Sequence, residues 1–84
     1  MLKQTFLAEV TDTYGGEANY CWVRRYIITA KSIRGAIWKL SREEGLSFKK
    51  DYDGKWNARN CCICAFVTDD DYAIEQCIDR AKHI

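Results

Sequence analysis

The feature that most constrains the fold is a turn followed by a strand-forming run, within residues 12–30. The turn contains Gly15–Gly16, and the run is the longest stretch of aromatic and β-branched residues in the chain. Glycine adopts positive φ without steric cost, so the pair predicts a hairpin connection. The run predicts a central strand from about residue 19 to residue 29, because aromatic and β-branched side chains favour strands.

Local patterns predict five further elements. Residues 3–11 alternate as a first strand. Ser32 and Gly45 have the chemistry of a helix N-cap and a helix stop, and apolar residues recur between them at helical spacing. Third and fourth strands are expected at residues 46–52 and 57–67. Asp69-Asp70-Asp71 then predicts the start of a second helix that runs almost to residue 84.

The element order ββαββα predicts an α+β fold. We expect a four-stranded, mainly antiparallel sheet with both helices packed on one face. A chain of 84 residues forms one domain, residues 1–84, with too small an interior for a large buried cofactor. No cofactor is therefore expected.

Charge and hydropathy exclude several classes of protein. The net charge is only +1, so the chain is not a generally basic nucleic-acid binder. The apolar runs are too short to cross a bilayer, which takes about 20 residues, and no membrane partner is expected. Residues 1–5 lack the core of a signal peptide, and we expect a location in the cytosol of a bacterial host.

The five cysteines are expected to be reduced thiols, mostly buried as small apolar residues. Cys61 and Cys64 have CxxC spacing, but the chain has no second such pair, and a zinc site would need Cys21, Cys77 or His83 as further ligands. No metal is therefore predicted, and a structural thiolate metal site at this cluster is the alternative. The only histidine, His83, is the penultimate residue, and no nucleophile motif occurs, so we expect no enzymatic activity and no catalytic residues.

Two groups of residues are candidates for contact with a partner. On helix one, Arg34, Trp38 and Arg42 fall on the side away from the apolar stripe, which places a large aromatic among cations, as in binding hot spots. The alternative is that other side chains cover Trp38. Besides these two groups, Glu17 and residues 69–71 are acidic candidates, because their negative charge is suited to mimic phosphates.

The second group lies on the central strand. Trp22, Arg24 and Tyr26 share one face and Arg25 points to the other. If the first face were open together with Phe48, Lys50 and Tyr52, the sheet would be a basic aromatic platform for single-stranded RNA or DNA. Aromatic packing within the fold is the alternative.

The segment from Asp12 to Arg25, which contains Thr-Tyr-Gly-Gly-Glu-Ala-Asn-Tyr-Cys-Trp-Val-Arg-Arg, resembles a segment of small uncharacterised proteins encoded by bacteriophages and prophages. The continuation through Leu40 fits the same pattern. In size and compact α+β design the chain is also similar to anti-CRISPR proteins, which commonly act by occupying a protein surface. These resemblances imply a non-enzymatic accessory protein that binds and inhibits a bacterial host protein, for example a CRISPR–Cas component, as a monomer or homodimer.

Overall fold

The computed structural model describes residues 3–51, 55–59 and 61–84, which form two helices and one six-stranded mixed sheet. In chain order the elements are β1 (Gln4–Tyr14), β2 (Glu17–Ala30), α1 (Ile33–Glu44), β3 (Phe48–Lys50), β4 (Trp56–Ala58), β5 (Ile63–Thr68), α2 (Asp71–Cys77) and β6 (Lys82–His83). Across the sheet the order is β3-β4-β5-β1-β2-β6. Among these strands β2 and β6 are parallel, and the other neighbours are antiparallel. The α+β class is therefore confirmed, whereas the expected number of four strands is wrong.

The β1–β2 hairpin is the longest pairing in the sheet, and its turn is the predicted one. Gly15 and Gly16 have φ values of 62° and 85°, a region that favours glycine. The ladder is interrupted by a register shift between Thr11 and Thr13. The shift leaves Asp12 of β1 and residues 19–22 of β2 without partners in this pairing. The Asp12 carboxylate accepts hydrogen bonds from the Cys21 backbone N–H at 2.9 Å and from Asn19 at 2.8 Å. This carboxylate thus replaces ladder bonds that the bulge removes.

Helix α1 begins and ends as the sequence predicts. The Ser32 hydroxyl accepts a hydrogen bond from the backbone N–H of Gly35 at 3.2 Å, and Gly45 adopts the left-handed conformation at φ 68°. Its inner side buries Ala36, Ile37 and Leu40. These residues pack on one face of the β1–β2 hairpin, against Phe6, Ala8, Val10, Tyr26, Ile28 and Ala30.

The two helices lie on opposite faces of the sheet, so the prediction that both share one face is wrong. Phe6 and Ile28 of the hairpin pack with α1. Their chain neighbours Leu7 and Ile27 pack with Ile74 of α2. Since adjacent residues in a strand point to opposite faces, the hairpin is buried on both sides at this point. It forms the central layer of a helix–sheet–helix arrangement.

The second half of the chain differs from the sequence-based expectation. The predicted strand 57–67 is divided into β4 and β5, and the predicted strand 46–52 is reduced to β3. Tyr52 and the expected turn at Asp53-Gly54 lie outside the described residues. Helix α2 is capped by Asp70 as expected but ends at Cys77, because the final segment turns back to pair with β2 as β6. None of the described helices has the length and apolar character needed to span a membrane.

Candidate protein-contact surface

The outer side of α1 carries an aromatic side chain flanked by two arginines. Arg34, Trp38 and Arg42 are four residues apart, so they form one stripe along the helix, called here the Trp38 stripe. The Trp38 side chain is 60% exposed, and the guanidinium of Arg42 lies 4.9 Å from the centre of its ring. This cation–π contact restrains the indole without covering it. Trp38 therefore faces solvent, as its position on the helix predicts.

A groove lies on each side of Trp38. The groove toward β3 has a volume of about 440 Å³ and is lined by Trp38, Ser41, Arg42, Gly45, Leu46, Ser47 and Phe48. The groove toward the C-terminal strand has a volume of about 350 Å³ and is lined by Trp38, Lys39, Arg42, Glu43 and Ile84. Because Trp38 and Arg42 line both grooves, which are shallow and open to solvent, the pair forms a low ridge between them. An exposed aromatic with concave flanks offers shape as well as apolar area to a partner.

The carboxylates at the end of α1 are both engaged within the fold. Glu44 accepts hydrogen bonds from the Arg24 guanidinium, with Nε–Oε2 at 2.9 Å and Nη2–Oε1 at 2.6 Å. The Tyr26 hydroxyl also donates to Glu44. Glu43 forms an ion pair with Lys82 of β6. These pairs anchor the C-terminal end of α1 to β2 and β6, and they keep both acids from neutralising Arg42.

Burial and the shared hydrogen bonds shift the pKa values of this cluster. Burial raises the pKa of Tyr26 to about 12, with a further contribution from its bond to Glu44. Burial alone also raises the pKa of Glu44, but the hydrogen bonds from Arg24 and Tyr26 and the positive charge of Arg24 lower it, and the net shift is downward. The bond to Glu44 raises the pKa of Arg24. Glu44 and Arg24 are therefore charged, and Tyr26 neutral, over the whole physiological range.

The remaining predicted contact residues do not join the Trp38 stripe. Trp22 is half-buried against the core, and the Arg24 guanidinium lies 4.3 Å from its ring centre. Arg25 points to the opposite face of the sheet and bonds Glu9 at 2.9 Å. Glu17 is exposed at the start of β2, beside the hairpin turn. The seven residues thus divide among four places, and only Arg34, Trp38 and Arg42 form a continuous surface.

The basic aromatic platform expected for single-stranded nucleic acid is not formed by β2. Tyr26 is buried beneath α1, and Trp22 packs with the same core cluster. Phe48 is half-buried against that cluster too, and Tyr52 lies outside the described residues. Because α1 covers this face, the aromatic side chains that were expected to stack on bases are instead part of the fold.

The cysteines differ in exposure, and the expectation that most are buried is wrong. Cys21, Cys61 and Cys62 are exposed, Cys77 is half-buried and Cys64 is buried. Burial raises the pKa of the Cys64 thiol. All five are free thiols. Among the described residues, no three His, Cys, Asp or Glu side chains are grouped so as to hold a metal ion.

A further depression lies at the β3–β4 edge, with a volume of about 530 Å³. Its described lining consists of Lys49, Lys50, Asp51 and Asn57. It is the larger depression, but its described lining contains no exposed aromatic anchor. We therefore favour the Trp38 stripe as the contact surface.

No family model matches the chain. No curated protein and no solved structure shows significant similarity to it. The resemblance to phage-encoded proteins therefore stays a prediction.

Glu44 is the residue of this region that sequence reasoning missed. Two glutamates in the last turn of a helix oppose the helix dipole, which favours cations there. The pattern Glu43-Glu44 before Gly45 is therefore a signal that other parts of the fold hold these acids. The structure supplies Arg24 and Lys82 as the partners.

Proposed function

We propose that this chain is a small phage-type accessory protein that binds a bacterial host protein through the Trp38 stripe and inhibits that protein by occupying its surface. The observation that carries the proposal is the exposed Trp38 indole, held by Arg42 on a ridge between two grooves. Tryptophan and arginine are the residues most enriched among binding hot spots. The phage origin and the inhibitory role rest on the resemblance described above.

Rigidity supports this role. Side chains that are already ordered lose less conformational entropy when they bind. The Ser32 cap, the Gly45 stop and the Arg24–Glu44 pair fix both ends of α1. The helix therefore presents Trp38 from a firm support, and the contact with Arg42 restrains the indole further.

The direct test is site-specific photo-crosslinking in bacterial lysate. A benzoylphenylalanine at Ser41, in the groove beside Trp38, is expected to form an adduct with a host protein. The adduct should disappear in Trp38→Ala and persist in Tyr72→Ala, since Tyr72 is 71% exposed on α2 at the other face of the sheet. A missing adduct, or equal adducts in both variants, contradicts the proposal.

The anti-CRISPR form of inhibition has its own test, in which the host protein is a CRISPR–Cas component. We expect the wild-type chain to restore plaque formation by a phage on a host that is immune through CRISPR. Trp38→Ala should fail to do so while Tyr72→Ala succeeds. Failure of the wild-type chain rejects the anti-CRISPR form and leaves the crosslinking result to decide whether the stripe binds protein.

A further inference from the structure

The charges of α1 are divided unequally between its inner and outer sides. Both carboxylates of its last turn are in ion pairs, Glu43 with Lys82 and Glu44 with Arg24. In contrast, Arg34 and Arg42 have no carboxylate partner within ion-pair distance among the described residues, and the same holds for Lys31 just before the helix. The outer side thus carries two arginine charges, at Arg34 and Arg42, that the described part of the fold does not neutralise.

The arginines of the Trp38 stripe also have unused hydrogen-bonding capacity. Arg42 contacts the face of the Trp38 ring and forms no hydrogen bond with another described residue. Arg34 is exposed and likewise has no described partner. A guanidinium presents five N–H donors in a fixed plane that matches a carboxylate. Both arginines are therefore available to bind carboxylates of a partner, one on each side of the indole.

We infer that the surface bound by the Trp38 stripe is an acidic protein surface, with carboxylates on two sides of an apolar recess that receives the indole. This inference rests on the proposed function, and it adds the chemistry of the partner. Arg34 and Arg42 are eight residues apart, which in a helix is a rise of about 12 Å. The complementary carboxylates on the partner should accordingly lie about 12 Å apart.

A protein fits these observations better than a nucleic acid. Binding to a phosphate backbone draws its affinity from many neutralised phosphates. Helix α1 and the residue two before it carry only four cations, Lys31, Arg34, Lys39 and Arg42, and the chain as a whole has a net charge of +1. The centre of the surface is an indole between two grooves, which suits an apolar recess rimmed by charge.

The experiment uses the Ser41 crosslinker in the full chain. We expect Arg34→Glu and Arg42→Glu to lower the adduct yield about fivefold each, since opposed charges at an interface are repulsive. Lys49→Glu, the same charge reversal on exposed β3, is the matched control and should change the yield less than about twofold. Nuclease treatment of the lysate should leave the yield unchanged. The partner peptide, identified by mass spectrometry, should lie beside Asp or Glu.

The outcomes separate this inference from the proposed function. An adduct that depends on Trp38 but is insensitive to both charge reversals overturns the acidic partner and keeps the contact surface. An adduct that nuclease removes assigns the stripe to nucleic acid. The absence of any adduct overturns the proposed function and, with it, the inference. Circular dichroism of each variant confirms that a lost adduct reflects the surface and not the fold.

Discussion

Arg24 of β2 and Glu44 of α1 form a two-point ion pair, with the guanidinium and the carboxylate joined at 2.9 and 2.6 Å. The Glu44 side chain is only 5% exposed, whereas that of Arg24 is 50% exposed. Glu44 is thus a nearly buried carboxylate that depends on partners from the sheet. The pair fixes the end of the helix that carries the Trp38 stripe.

Removal of the Glu44 carboxylate should destabilise the fold. In Glu44→Ala the buried Tyr26 hydroxyl loses its acceptor, while half-exposed Arg24 can be hydrated instead. We expect a loss of about 2 kcal/mol in the free energy of unfolding, measured with urea. Glu43→Ala is the control, because its ion pair with Lys82 is more exposed, and it should cost less than about 1 kcal/mol. Equal losses in the two variants would show that the buried hydrogen bonds of Glu44 contribute no more to the free energy of unfolding than the more exposed ion pair of Glu43.

The same cluster predicts how stability depends on pH. The folded pKa of Tyr26 is raised to about 12 from an ordinary value of 10.0, so its contribution is complete below pH 10 and is lost as the pH rises to about 12. The folded pKa of Glu44 is lowered, so its contribution is present above the ordinary value of 4.5 and is lost as the pH falls through the folded pKa. Unfolding curves of Tyr26→Phe should therefore lack part of the alkaline loss. A Tyr26→Phe profile identical to that of the wild type would contradict this account.

Two glycine substitutions should change stability in opposite directions. At Gly16 the φ of 85° strains any other residue, so Gly16→Ala should lower the free energy of unfolding by about 1 kcal/mol. Gly35 lies inside α1, where an added Cβ would meet the Cβ of Ala30 at 3.5 Å, an ordinary contact. Gly35→Ala should therefore raise the free energy of unfolding by about 0.5–1 kcal/mol. Thermal denaturation of the two variants checks both signs, and a shared sign would refute the argument.

The elements that could be predicted from the sequence are those with local chemical signals. Positive φ at Gly15–Gly16 and the caps at Ser32 and Gly45 involve neighbouring residues only, and each is confirmed. Strand β6 had no such signal, because Lys82–His83 is two polar residues whose pairing with β2 is set by tertiary contacts. The alternation of residues 57–67 likewise did not show where the strand divides.

The sequence pattern did not show that the helices lie on opposite faces of the sheet. The face that contacts α2 has only one buried apolar residue on each hairpin strand, Leu7 on β1 and Ile27 on β2. The second face of β1 has Leu7 between Thr5 and Glu9, which is typical of a solvent-facing side. The informative pattern was the consecutive pair Ile27–Ile28, paired with Phe6–Leu7. Two adjacent apolar residues on each of two paired strands indicate a sheet buried on both faces. For the contact surface, helical periodicity placed Trp38 correctly, but strand alternation could not show that α1 covers Tyr26.

The thiols should react with a disulfide reagent in separate phases. Cys21, Cys61 and Cys62 are exposed and should react within the first phase in the folded protein. Cys64 is fully buried with a raised pKa, so it should react only as fast as the protein opens. Absorbance of the released thiolate, measured with and without urea, counts the thiols in each phase. A Cys64→Ser variant whose slow phase is unaltered would contradict the assignment.

Substitution of Trp22 and of Trp38, which both lie on the α1 side of the sheet, should separate folding from binding. Trp22 packs against the core, so Trp22→Ala should cost about 2–3 kcal/mol in the free energy of unfolding. Trp38 is mostly exposed and its contact with Arg42 lies at the surface, so Trp38→Ala should cost less than about 1 kcal/mol. The crosslinked adduct should nevertheless vanish in Trp38→Ala. Urea unfolding and crosslinking of both variants provide the comparison. A large loss of stability in Trp38→Ala would mean that this side chain stabilises the fold. The exposure of Trp38 would then not support a partner-binding role for the Trp38 stripe.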